Sequence, residues 1–203
     1  MTDKIDVTMM YAIHNAFRRD LGLFTVRVAQ DLSASPHVRA GWKNFKDQLL
    51  LHHRVEDSHL FPPLHRALAD RPPDLASIDE MGAEHAQINP LLSAVDNALT
   101  QGTGLADCIA DLSTALNKHL EHEEKRALPL IQAVLDPADW KDFAGEMRRQ
   151  QGVKGAALFV PWILDSTTPA KRQEYLRMFP APLRLINGLF WQSRYQKREL
   201  WNV

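Results

Sequence analysis

The sequence predicts an all-α protein: an antiparallel up-down-up-down four-helix bundle over residues 1–135, with a short helical extension over residues 136–203 packed on it. Three observations carry this expectation. Apolar residues recur at spacings of three and four along four successive stretches, the signature of helices with one buried face. Short links separate the stretches, which makes consecutive helices antiparallel neighbours. The chain also repeats itself, because His52-x3-Glu56-x5-Pro62 returns as His119-x3-Glu123-x5-Pro129 with every element offset by 67 residues. Each copy follows a helix bearing a lone inward histidine, so two helical hairpins related by a pseudo-twofold axis are expected.

The first helix carries Met10, Ile13, Phe17, Leu21, Phe24 and Val28 on one face, and Ser33-Ala-Ser-Pro36 marks the turn after it. The second stripe runs Val38, Trp42, Phe45, Leu49, until Pro62-Pro63 ends or kinks the helix. Asp74 then offers an N-cap for the third helix, whose stripe is Ile78, Met81, Ile88, Leu92, Val95 and Leu99, closed by Gly102-Thr-Gly104. The fourth holds Leu105, Ile109, Leu112 and Leu116, then Leu130 and Val134. Beyond Leu135 the pattern changes. Asp136-Pro137 and Thr168-Pro169 each read as an N-cap followed by proline at the first helical position, opening one short helix to about Gln151 and then another. An aromatic-rich helix from Leu183 towards Trp201 closes the chain; a basic, aromatic helix can lie on an anionic membrane or dock a partner, but here its apolar face is expected to cover the bundle and its Arg and Lys residues to meet acidic helices.

Charge fits that arrangement. The 203 residues are 45% hydrophobic and 24% charged, with a formal net charge of −1. Residues 166–203 hold seven Lys/Arg and two Asp/Glu, a net of +5, which leaves −6 on residues 1–165. Nothing in this balance calls for nucleic acid. The one cysteine, Cys108, excludes an internal disulfide, suits a reducing compartment and is expected to pack as a small hydrophobe. No basic-then-apolar leader opens the chain, and the longest apolar run, residues 156–164, is too short to span a bilayer. A cytoplasmic protein is expected, with no membrane partner.

The stripes contain polar intruders. His14 interrupts the first, His52 and Glu56 continue the second, His85 interrupts the third, and His119 and Glu123 continue the fourth. An unpaired group of this kind costs several kcal/mol to bury, and six together would undo a small bundle. A pair of cations turns that liability into coordination bonds, and His and Glu at i and i+4 share a helical face from which both reach the same cluster. Counted from the turns near residues 34 and 103, all six lie about 16 to 22 residues away, which at about 1.5 Å per residue puts them in one layer. Imidazole with carboxylate suits iron, zinc or manganese, and six ligands in one layer favour two ions over one tetrahedral zinc. The Glu-x-x-His spacing of ferritin-like di-iron proteins is on no inward stripe.

These segments, HNAFRRDL (14–21), HHRVEDSHLFP (52–62), EHAQI (84–88) and HLEHEEKRALP (119–129), resemble the hemerythrin-like (His-His-Glu) domain family over roughly residues 8–135. The resemblance implies two oxo- or hydroxo-bridged irons, with zinc or manganese as substitutes, held by His14, His52, Glu56, His85, His119 and Glu123, the two glutamates bridging. It implies a small diatomic or peroxide partner: dioxygen, peroxide or nitric oxide. The tail, with PWILDSTTPA and FPAPLRL, resembles extensions of some bacterial members. The oxygen carriers of the family have a His-x3-His pair on the third helix, where this chain has Asn89 after His85. That favours redox chemistry or sensing over reversible transport.

His53, Asp57, His122 and Glu124 are one position off the stripes and are expected on the solvated or outer side of the layer, although Glu124 offers an alternative His-x4-Glu ligand. Tyr11, one turn before His14, offers a phenolate. Arg18 is expected at the surface or in a salt bridge, and His37, His59 and His65 at solvent or helix ends. Three functions remain open: a di-iron oxidoreductase acting on peroxide or nitric oxide in oxidative or nitrosative stress, a non-catalytic oxygen or iron sensor, and a metal-stabilised structural bundle.

Overall fold

A computed structural model describes residues 5–202, and among these residues every regular element is helical. Helix α1 (Thr8–Ala29) buries Met10, Ile13, His14, Phe17, Leu21 and Phe24 on one face. Helix α2 (Pro36–Val55) follows the SASP turn and opens with proline at its first position, where a missing N–H costs nothing. The prolines at 62–63 do not end this helix. The chain widens into a π-helical turn (Glu56–Leu60), in which the Phe61 amide donates to the Glu56 carbonyl, and continues as α3 (Phe61–Ala67). Proline has no N–H for the carbonyl four residues back and its ring crowds that carbonyl, and the wider turn relieves the conflict without breaking the rod.

Helix α4 (Pro72–Gln101) starts three residues earlier than the Asp74 cap predicts, with Arg71 at the cap position and Asp74 in the first turn. It ends where Gly102 takes φ +74°, a left-handed conformation that glycine adopts without steric cost. Helix α5 (Leu105–His122) then repeats the history of α2. A second π-helical turn (Glu123–Ala127) starts on its glutamate, the Leu128 amide donates to the Glu123 carbonyl, and α6 (Leu128–Val134) carries Pro129. The 67-residue repeat therefore includes a backbone feature that side-chain periodicity does not reveal.

Helix α7 (Pro137–Leu164) is capped by Asp136, whose carboxylate accepts the Ala138 amide at 2.7 Å. The helix end expected near Gln151 corresponds to a break at Gly152 (φ +57°, ψ −175°), after which helix resumes and buries Val160, Trp162, Ile163 and Leu164. Thr168 caps α8 (Pro169–Arg177). The last helical stretch runs as α9 (Ala181–Ile186), a third π-helical turn (Asn187–Trp191) and α10 (Gln192–Gln196).

Helix α1 packs on α2 and α5, α4 on α5, and α7 on α1 and α2. The Trp162 indole donates to the buried Asp20 carboxylate at 2.7 Å, and Arg19 donates to the carbonyls of Trp162 and Asp165, each at 2.8 Å. The Trp201 ring lies so close to Gly41 that a methyl group there would overlap it. Trp191, Tyr195 and Trp201 are buried as the sequence predicts, but Leu185, Leu189 and Phe190 face outwards. The expected ion pairs between the basic tail and acidic bundle helices do not form among the described residues, where Lys171 pairs with Glu174 in its own helix. Apolar burial and the Asp20–Trp162 link fasten the tail instead. No helix among the described residues is long and apolar enough to cross a membrane.

The apolar interior forms two clusters. One gathers Phe17, Phe24, Trp42, Phe45, Leu49, Leu112 and Leu116 with the aromatics of α7–α10. The other gathers Val55, Leu60, Phe61, Leu64, Ile78, Met81, Leu128 and Ile131. On α2 and α4 the polar intruders fall in sequence between residues of the two clusters.

Candidate metal centre

The structure brings all six predicted residues together. His14 comes from α1, His52 from α2, Glu56 from the first residue of its π-helical turn, His85 from α4, His119 from α5, and Glu123 from the first residue of the second turn. None is more than 2% exposed. Their inward atoms fall into two groups: His14, His52 and Glu123, and then His85 and His119 together with His53. Within the second group, His85 Nε2 and His119 Nε2 are 3.1 Å apart.

Each glutamate spans the two groups. Glu56 sets Oε1 3.1 Å from His52 Nε2 and Oε2 3.6 Å from His85 Nε2. Glu123 Oε2 lies 3.1 Å from His14 Nε2 and 4.0 Å from His119 Nε2. The i, i+4 spacing places each carboxylate above its own histidine, and the widened turn that starts on it carries the chain on past the layer.

Carboxylates also stand behind the histidines. His14 Nδ1 is 2.9 Å from Glu124, His85 Nδ1 is 2.7 Å from Asp57, and His119 Nδ1 is 3.0 Å from Glu84. These contacts fix the rings with Nε2 inward, the arrangement that orients imidazole ligands in metal sites. Asp57 and Glu124 thus take the outer position the sequence predicts, related by the same 67-residue offset, and Glu124 is a partner of His14 and Arg18 rather than an inward group. His122 also lies outside, against Glu84. Asn89 and Tyr11 are exposed, unlike the buried residues of the layer.

His53 departs from expectation. It is 3% exposed, with its ring stacked on His85 at 3.8 Å between centroids. A strict three-and-four spacing leaves it one position off the stripe, but α2 buries both His52 and His53. The overlooked signal is in the repeat: position 53 corresponds to Leu120, a core leucine. Glu84 was the other omission, marked only by standing beside an inward histidine.

The layer has too few hydrogen bonds for its depth. Of thirteen buried side-chain polar atoms without a hydrogen-bond partner among the described residues, nine belong to His14, His52, His53, Glu56 and Glu123. Buried polar atoms are nearly always satisfied, and those 3.1 Å contacts are poorly directed for hydrogen bonds. The electrostatics agree. Burial drives the Glu56 carboxyl well above its ordinary value, and the neighbouring Glu123 adds to the effect. Burial opposes charge on His14 too, yet Glu123 and Glu124 outweigh it and lift its pKa to about 9. Glu123 is held low against its own burial, chiefly by His14. Burial pulls His52, His53 and His119 down. Without added positive charge, the layer keeps protons on Glu56 and His14. Cations would supply that charge and use the orphaned atoms, so the residues fit a metal centre.

A helical protein with a buried histidine–carboxylate layer of this composition has an architecture suited to cation binding. The family model for the hemerythrin HHE cation-binding domain matches residues 5–131, and the chain belongs to that family. The match includes every residue of the layer and ends before α7. Comparison with curated proteins and with solved structures gave no match.

Proposed function

We propose that the chain is an up-down-up-down bundle holding two iron ions, with His14 and His52 on one, His85 and His119 on the other, and Glu56 and Glu123 between them. The observation that carries this reading is the pairing of two buried imidazole groups by two carboxylates, each within 4.0 Å of a histidine of either group. Iron would supply one-electron redox steps and open positions for a small molecule. The protein residues do the rest: Asp57, Glu84 and Glu124 orient three of the imidazoles, and the two apolar clusters exclude bulk water. Cytosolic turnover of peroxide or nitric oxide, in oxidative or nitrosative stress, is the activity this centre suits. A surface cleft lined by Glu80, Glu84, Gln87, Lys118, Glu121 and His122 reaches Glu84, whose carboxylate also holds His119.

A sensing role has one observation in its favour. Phe17 packs against His52 at 5.6 Å and against Trp162 of α7 at 5.3 Å, a direct path from the layer to the C-terminal helices. Peroxide and nitric oxide turnover by the iron-loaded chain separates the two roles. The test of the centre itself is spectroscopic. The oxidised, iron-loaded protein is expected to absorb in the visible region without haem bands, and azide should shift that absorption. A colourless oxidised protein would contradict a coupled iron pair.

A further inference from the structure

We propose that His53 is a seventh ligand, supplying a third imidazole to the ion held by His85 and His119, so that the two positions of the centre are chemically unequal. The inference rests on the metal-binding reading above and adds a residue which that reading does not need.

The repeat supplies the first observation. The pseudo-twofold relation exchanges His52 with His119 and Glu56 with Glu123, but it exchanges His53 with Leu120. Leu120 is fully buried, so the equivalent slot is filled by an apolar side chain and packing alone gives no reason for an imidazole. The second observation is the state of that imidazole. Both His53 ring nitrogens are buried and lack any hydrogen-bond partner. An uncompensated polar ring in a core is destabilising, so its presence calls for a partner that the protein itself does not provide. The third is position. One nitrogen of His53 lies within 4.8 Å of ligand atoms of both His85 and His119.

The ring orientation specifies how ligation would occur. Against His119 the His53 ring is edge-on, at 5.2 Å and 81°. Against His85 it is parallel, at 3.8 Å and 9°. Two rings stacked face to face cannot both aim a nitrogen at one ion, so one must turn about its Cβ–Cγ bond. That torsion has a broad profile in histidine. His85 is tied through Nδ1 to Asp57 at 2.7 Å, whereas nothing ties His53. His53 is therefore the ring that turns.

The other group differs in the same sense. It has two imidazoles, of which His52 has no outer carboxylate, and the carboxylate behind His14 is shared with Arg18. The His53 side has three imidazoles and two outer carboxylates, Asp57 and Glu84, and is the more electron-rich position.

Two full-length variants test the assignment, with chelator competition, Mössbauer spectra of the 57Fe-loaded protein and thermal melts as readouts. His53→Leu copies the residue of the equivalent slot, and His53→Phe keeps a flat ring that can stack on His85 but has no nitrogen. Wild type is expected to give two distinct iron environments. Both variants should bind the second ion at least about tenfold more weakly and lose or alter one of the two spectral components. The metal-free His53→Leu protein should melt no lower than metal-free wild type, because it loses two orphaned atoms, while its metal-loaded form should melt lower. Unchanged affinity and spectra in both variants would overturn the proposal. So would full affinity in His53→Phe alone, which would make His53 a stacking support for His85. A wild type that binds no iron would overturn the metal-binding reading and this proposal with it.

Discussion

Alanine in place of His119 is expected to lower the iron content of the purified chain from about two ions to one or none, and to cost the iron-loaded fold a few kcal/mol. The His119 ring is fixed on both sides, with Nδ1 on Glu84 at 3.0 Å and Nε2 3.1 Å from His85. Its removal leaves Glu84 without its buried partner, opens a void in the layer and takes one imidazole from the second group. Because a loaded centre adds its binding free energy to folding, stability and metal content should fall together. His52→Ala makes the complementary cut. That ring has no hydrogen bond to lose, so the variant removes a candidate ligand from the first group with little disturbance of the outer carboxylates. Elemental analysis beside thermal melts checks both, and a fully loaded His119→Ala protein would contradict the assignment.

Metal affinity should also fall steeply as the solution is acidified. In the metal-free layer His14 titrates at about 9, because Glu123 and Glu124 outweigh the burial that opposes its charge. Burial, with Glu123 beside it, likewise keeps Glu56 protonated well above the ordinary carboxyl range. Near neutral pH incoming ions must expel the His14 proton, and the raised Glu56 carboxyl adds its own as the solution is acidified, so loading is expected to release protons and to weaken about tenfold per proton per pH unit. Above about 9 His14 is already neutral and the slope should drop by one proton. The stability of the metal-free fold runs the other way for this residue. A raised pKa makes the His14 proton stabilising, fully so below its ordinary value of 6.5 and no longer once pH passes about 9. Chelator competition across that range measures the slope, and a flat profile would contradict the protonation scheme.

The long helices and the residues of the layer were legible because both rest on one period. A stripe spaced by three and four names a buried face, and a histidine or glutamate on that face is conspicuous because burial penalises it. Counting from the turns then put His14, His52, Glu56, His85, His119 and Glu123 at one height, where the structure also places them. What the period hid is equally specific. The widened turns at Glu56 and Glu123 add a residue to the helical turn and let helix run on through Pro62 and Pro129, where the sequence left an end or a kink open. His53 was lost because a stripe drawn one residue wide is narrower than the face α2 buries. The start of α4 was misread because a proline at the first position outranked the Asp74 cap. In the tail, alternating apolar and basic residues did not reveal that Trp191 and Tyr195 turn in while Leu189 and Phe190 turn out. That division depends on where α9 and α10 meet α7, which is tertiary rather than local.

The most direct measurement is the metal content of the full-length protein, reconstituted with ferrous iron under anaerobic conditions, freed of loosely bound ions and assayed by elemental mass spectrometry. Two orphaned imidazole groups joined by two carboxylates predict about two irons per chain, retained through gel filtration at neutral pH and lost on acidification. A folded chain that retains less than one ion would contradict the account.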